Sequence, residues 1–183
     1  MSSQTQFHVR EEPAQRQGQS LGANGPSRMS QFWGTHQNKR DGKGRVSIPA
    51  SFRAALREGK EADQIVTVVL RASHKHPCIE AWPVEAFERL AGPVQRYDWF
   101  SDEHEDLATA LYADAFPIEC DKEGRILLPD MLVRHASLDG AVTFAGLGKI
   151  FQVWEPVAFE RRRVDARERT RISRLTLSAE GAT

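Results

Sequence analysis

Asp41–Pro49 reads DGKGRVSIP, and Asp121–Pro129 reads DKEGRILLP. The phrases align without a gap: Asp41 with Asp121, Gly44 with Gly124, Arg45 with Arg125 and Pro49 with Pro129. Each residue type has a mechanical job. An Asp carboxylate accepts backbone N–H groups two residues on and fixes a turn. A glycine at the fourth position allows a positive φ that a side chain would penalise. The arginine follows where a strand begins, so its planar five-donor fork is aimed by stiff backbone and can grip a phosphate or a guanine edge with two bonds. Beyond it, Val46 and Ile48 face one way and Arg45 and Ser47 the other, which is the alternation of a half-buried strand. Pro49 suits the first turn of a helix, and Phe52 and Leu56, four apart, would dock that helix on a sheet.

Outward from the two turns, more of the chain repeats. CIEAWPVEAFER matches FQVWEPVAFER, setting Trp82 opposite Trp154 and Phe87 opposite Phe159. Each copy reads strand, turn, strand, helix, strand, strand, helix, so the chain holds two copies of one supersecondary unit. The interval from Arg to Trp is longer in the first copy (45 to 82 against 125 to 154), and the surplus is expected near RASHKHP. Between the copies SDEHEDLATALYADA reads as a helix, with Ser101 as cap, acids in its first turn and a stripe of Leu107, Leu111 and Ala115. The expected organisation is a disordered tail over 1–31, poor in apolar residues, a first unit over 35–86, and a helical connector over 87–114. A second unit over 115–158 and an Arg-rich helix and tail over 159–183 complete it.

The formal net charge is zero over 183 residues, yet the charges are segregated. Between His36 and Arg57, Lys39, Arg40, Lys43, Arg45, Arg53 and Arg57 face only Asp41. From Asp98 to Glu123 the balance is acidic, and from Phe159 to Arg174 it is basic again. Attraction to phosphate depends on the field within about 10 Å at modest salt, so a neutral total does not exclude a nucleic-acid partner. Cys78 and Cys120 have no redox or metal-ligand spacing, and no apolar run has the length of a membrane span. A soluble cytoplasmic protein with no membrane partner is expected.

Other residues offer competing chemistry. His74, His76 and Cys78 alternate in HKHPC, but a tetrahedral zinc site needs a fourth ligand that is not evident, so no metal is expected. Trp82 and Trp154 could stack on bases, although matched positions at strand ends favour core packing. His104 and His135 read as surface or satisfied core residues. RRRVDARERTR reads as a solvated helix end with Glu–Arg pairs, with a second basic contact as the alternative. There is no nucleophile elbow, no phosphate loop at a strand-to-helix junction and no paired carboxylates in a cleft; GLGK lies between strands. No enzyme and no cofactor is expected. For the turns themselves the bland reading is that each Asp and Arg pair only with each other. Two copies with further cations beside them favour contact with a ligand, since an exposed pair stabilises by only about 0–1 kcal/mol.

DGKGRVSIP and DKEGRILLP resemble the Asp-x-x-x-Arg motif of the SpoVT-AbrB domain, a swapped-hairpin DNA-binding fold. Two such motifs, with FWGTH before the first and FRAAL, HPCIEAW, HASL and FAGLGKIFQVW in order, resemble the MraZ family over about Phe32–Arg163. The resemblance implies a mainly β fold with short helices, two SpoVT-AbrB-like repeats forming an internal pseudo-dimer. It implies a transcriptional regulator, a repressor of the division and cell-wall gene cluster including its own operon. It also implies closed rings that bind tandem promoter repeats in double-stranded DNA, and a nucleoid-associated location. Asp41, Lys43 and Arg45 fall in the first DNA-facing loop with Lys39 and Arg40 beside them; Asp121, Lys122 and Arg125 fall in the second. The alternative is an antitoxin-like, oligomeric protein-interaction module whose partner is a protein.

Overall fold

The computed structural model describes residues 31–61 and 63–173, so the tail expected over 1–31 lies almost wholly outside them, as does the end of the chain from 174. The first unit contributes strands β1 (Thr35–Lys39) and β2 (Arg45–Ser47), helix α1 (Ala50–Arg57), strands β3 (Thr67–Ala72) and β4 (Cys78–Pro83), and helix α2 (Val84–Ala91). A 3₁₀ turn (Gly92–Arg96), helix α3 (Asp102–Ala108) and a π-helical turn (Thr109–Ala113) form the connector. The second unit repeats the order: β5 (Ala115–Glu119), β6 (Arg125–Leu127), α4 (Asp130–His135), β7 (Ala141–Gly146), β8 (Phe151–Trp154) and α5 (Pro156–Ile172).

The two units exchange strands. One antiparallel sheet runs β1-β7-β8-β4-β3-β5, and a two-stranded ribbon pairs β2 with β6. The lead-in strand of each unit therefore pairs with the third strand of the other: β1 on β7 and β5 on β3. The registers reveal an internal twofold. In the ribbon Val46 lies opposite Ile126, its counterpart in the repeat. In the sheet Glu80 lies opposite Gln152, each two residues before its unit's tryptophan. Counterparts can face each other only where an axis passes between them, so one pseudo-twofold passes through both the ribbon and the sheet. This is a tandem-repeat pseudo-dimer.

Apolar periodicity explains the core. Val46, Ile48, Phe52 and Leu56 of the first unit are buried, as are Ile126, Leu128 and Leu132 of the second. They meet beneath the ribbon with Phe32, Phe144 and Phe151 in one cluster. Phe52 touches Phe32, Phe144 and Phe151 at ring-centroid separations of 5.4, 6.4 and 5.1 Å, so a first-unit helix is held by second-unit strands. The outer face of the sheet is covered in the same way twice. Phe87 and Ala91 of α2 and Val94 of the 3₁₀ turn are buried there with Val69, and Ala158 and Phe159 of α5 pack on Cys78, Ala145 and Trp154. The matched tryptophans also make matched bonds: Trp82 Nε1 donates to Glu80 Oε2 (3.3 Å) and Trp154 Nε1 to Gln152 Oε1 (3.0 Å). Trp154 is buried and Trp82 half-buried.

Two expectations are corrected. The surplus of the first unit does not sit mainly near RASHKHP. Lys39 faces Ala141 while its counterpart Glu119 faces Thr67. From Pro49 to Thr67 is 18 positions and from Pro129 to Ala141 is 12, so six of the eight extra residues lie between the proline and the third strand. They lengthen α1 and the loop after it; only the other two enlarge the β3–β4 hairpin. The connector helix is not docked by a leucine stripe either. The helical backbone runs from Asp102 through the π turn to Ala113, but Ala115 already belongs to β5 and Leu107 is exposed. The residue it buries is His104, stacked on Trp99 at 4.7 Å.

Candidate nucleic-acid interface

The ribbon carries the two turns. Its inner face is Val46 and Ile126; its outer face is Arg45, Ser47, Arg125 and Leu127. Arg45 lies opposite Leu127 and Arg125 opposite Ser47, so the two arginines are diagonal neighbours, about 7–8 Å apart in such a ladder. Both turns face the same side because the pseudo-twofold relates them.

Inside each turn the aspartate is fully engaged. Asp41 Oδ1 accepts the N–H of Lys43 (2.9 Å) and of Arg45 (2.9 Å), while Oδ2 takes Arg45 Nε (2.9 Å) and Nη2 (2.7 Å). Asp121 repeats this with the N–H of Glu123 (3.0 Å) and Arg125 (2.8 Å) and with Arg125 Nε (2.7 Å). Arg125 Nη2 also reaches Glu123 Oε2 at 2.9 Å, and Arg45 Nη1 lies 3.9 Å from Asp121 across the axis. Gly44 and Gly124 close the turns at φ of 78° and 75°. The Asp–Arg pairing that could stand alone as a turn lock is thus present in both copies. It does not bury the arginines: their side chains remain 30% and 31% exposed.

The electrostatics follow from these bonds. The Arg45 backbone N–H, then its guanidinium, hold the Asp41 carboxyl down at about 2. The Arg125 N–H and side chain lower Asp121 in the same way. Both carboxylates stay charged, and each pins its arginine in one orientation.

The other expected residues are placed differently from one another. Lys39, Lys43 and Lys122 are exposed around the turns. Arg40 is half-buried, with Nη1 donating to the Leu138 carbonyl at 3.2 Å, so it ties the first turn to the second unit. In the sequence Arg53 is one charge among several. It lies along Gly124, where an added Cβ would come within 2.1 Å of its Cδ, and its Nη1 donates to the Ile48 carbonyl at 2.6 Å. Ser47 and Leu127, the remaining outer residues of the ribbon, were also missed as site residues; strand alternation beside the buried Ile126 and Leu128 was the signal for Leu127, which is 56% exposed. In HKHPC, His74 is exposed and Cys78 is buried, its thiol pushed up to about 12 by burial, while His76 Nε2 accepts the Arg162 Nε–H at 3.2 Å. Among the described residues no three His, Cys, Asp or Glu side chains are grouped to hold a metal.

Exchanged lead-in strands, a two-stranded ribbon on the pseudo-twofold and a glycine-hinged Asp–Arg turn in each half define a tandem repeat of the SpoVT-AbrB type. The family model described as "MraZ protein, putative antitoxin-like" matches residues 31–108 and 111–173. Transcriptional regulator MraZ of Gluconacetobacter diazotrophicus is 59% identical over 153 residues, covering 84% of this chain and 95% of that protein. Its namesake in Gluconobacter oxydans is 58% identical over 144 residues (78% and 87%), and that of Pelagibacter ubique 35% over 150 residues (81% and 94%). The chain belongs to the MraZ family.

Proposed function

We propose that this chain is a sequence-selective transcriptional regulator that binds double-stranded DNA through the outer face of the β2–β6 ribbon. The observation that carries the reading is the pair of solvent-reaching arginines, Arg45 and Arg125, held on one side of the molecule by their own aspartates. A buttressed guanidinium loses little freedom when it meets a phosphate or a guanine edge. Lys39, Lys43 and Lys122 add phosphate attraction around it, and Arg40 adds charge from a fixed position. Leu127, exposed between the turns, suits a thymine methyl. The names of the relatives support regulation as the purpose, and the resemblance extends it to repression of the division and cell-wall gene cluster, the chain's own operon included.

One ribbon makes few phosphate contacts, and non-specific binding of that kind has a Kd of about 10⁻⁴–10⁻⁶ M at physiological salt. A closed ring of subunits on tandem promoter repeats would multiply the contacts without new chemistry. The test is binding-site selection from random DNA. Enrichment of regularly spaced short repeats is expected; recovery without enrichment would favour the antitoxin-like alternative, a module whose partner is a protein. That second reading draws on exposed aromatic residues at the connector, Trp99 and Phe100.

A further inference from the structure

Two surfaces of the chain are uncovered and complementary. The first is the connector. From Tyr97 to Asp114 it carries Asp98, Asp102, Glu103, Glu105, Asp106 and Asp114, with no Lys or Arg. At its head Trp99 is 74% exposed and Phe100 93%. They stand on a built turn rather than a slack one: Phe100 N–H donates to Asp98 Oδ1 (2.9 Å), Ser101 caps α3 by accepting the His104 N–H (3.1 Å), and buried His104 backs Trp99. Two large aromatic side chains held out by a fixed turn are a preorganised apolar anchor.

The second surface is α5. Its first two turns are anchored by the Glu155 cap, by Phe159 against Trp154 and by Arg162 on His76. Past those turns none of its side chains is buried. Val157, Val164 and Ile172 recur at seven and eight residues, which puts them on one helical face, and all three are exposed. Arg161, Arg167 and Arg171 border that stripe. The apolar stripe matches the aromatic anchor, the arginines match the acids, and an arginine over an indole face adds cation–π attraction. Since Trp99, Phe100, Val164 and Ile172 are all exposed, neither surface covers the other within one chain.

We propose that α5 of one copy docks on the acidic, aromatic connector of a second copy. Two different patches make a head-to-tail contact, which propagates and closes into a ring when the rotation allows. The proposal deepens the assembly part of the function above and rests on it only for the expectation that the chain oligomerises; the DNA-facing arginines play no part in it.

The experiment uses two full-length variants, each blocked on one surface: Phe100→Ser with Glu103→Lys and Asp106→Lys, and Val164→Ser with Arg167→Glu and Arg171→Glu. All six positions are exposed, and circular dichroism with thermal melts checks that each variant folds. Light scattering coupled to size exclusion, without DNA, reads the mass. The unmodified chain is expected as an oligomer that loosens with salt, and each variant alone at the mass of the 20.6 kDa chain. An equimolar mixture is expected to form dimers and nothing larger, because it contains one intact pair of surfaces. A monomeric parent, a variant that assembles as the parent does, or a mixture that stays monomeric overturns the proposal. Failure in any of these ways leaves the Arg45 and Arg125 reading to its own test.

Discussion

Asp41 uses both carboxylate oxygens, one for two backbone N–H groups and one for the guanidinium of Arg45. Its pKa falls from 3.8 to about 2 because the charged form is the one these donors stabilise. For a depressed carboxylate the sign is fixed: the contribution to stability is present above 3.8 and lost as pH falls through about 2. Acid titration of folding should therefore be steeper for the unmodified chain than for Asp41→Asn across that window, with the variant the less stable at neutral pH. Parallel curves would show that the turn does not depend on the charge. The two glycines make a second comparison. Alanine at either must adopt positive φ, costing about 1–2 kcal/mol. At Gly44 the nearest atom to a new Cβ is 3.5 Å away, but at Gly124 the Arg53 side chain stands in its place and must leave its bond to Ile48. Gly124→Ala should thus exceed Gly44→Ala by about 1 kcal/mol in urea unfolding; the reverse order would contradict the account.

Among the elements, the β3–β4 hairpin holds a buried pair: Arg71 Nε lies 3.9 Å from Glu80 Oε2, under the connector carbonyl of Ala110. Removing one partner leaves a buried charge uncompensated. Glu80→Ala should cost about 3 kcal/mol, and Arg71→Ala with Glu80→Ala should cost less than the sum of the single changes. Strict additivity in denaturant unfolding would show that the two side chains do not interact. Elements of this size were mostly legible in the sequence. Alternation placed Val46 and Ile48 inward, the four-residue spacing placed Phe52 and Leu56, and the repeat fixed the order of strands in both halves. What failed did so for physical reasons. Counting from Arg to Trp measures a surplus but not which loop holds it; that needs the cross-strand register. The connector's leucines had helical spacing, yet His104 beneath Trp99 buries better than Leu107 because the indole offers a flat partner.

At the scale of the molecule, the exchange of β1 and β5 between halves turns a repeat into a pseudo-dimer. The sequence announced the duplication, but pairing across units is a long-range choice that local patterns do not carry. The same axis explains why two turns eighty residues apart end as diagonal neighbours on one ribbon. It also explains an outcome the motif alone left open: each arginine is paired with its own aspartate and still reaches solvent, so the pair positions the side chain rather than removing it. The consequence is measurable by DNA affinity as salt is varied, for the unmodified chain, Arg45→Ala, Arg125→Ala and the double variant on one selected operator. Each removed arginine is expected to weaken binding and to reduce the slope of log K against log salt by about one, with folding preserved. Affinity and slope unchanged in the folded double variant would contradict the claim that the ribbon is the DNA-binding face.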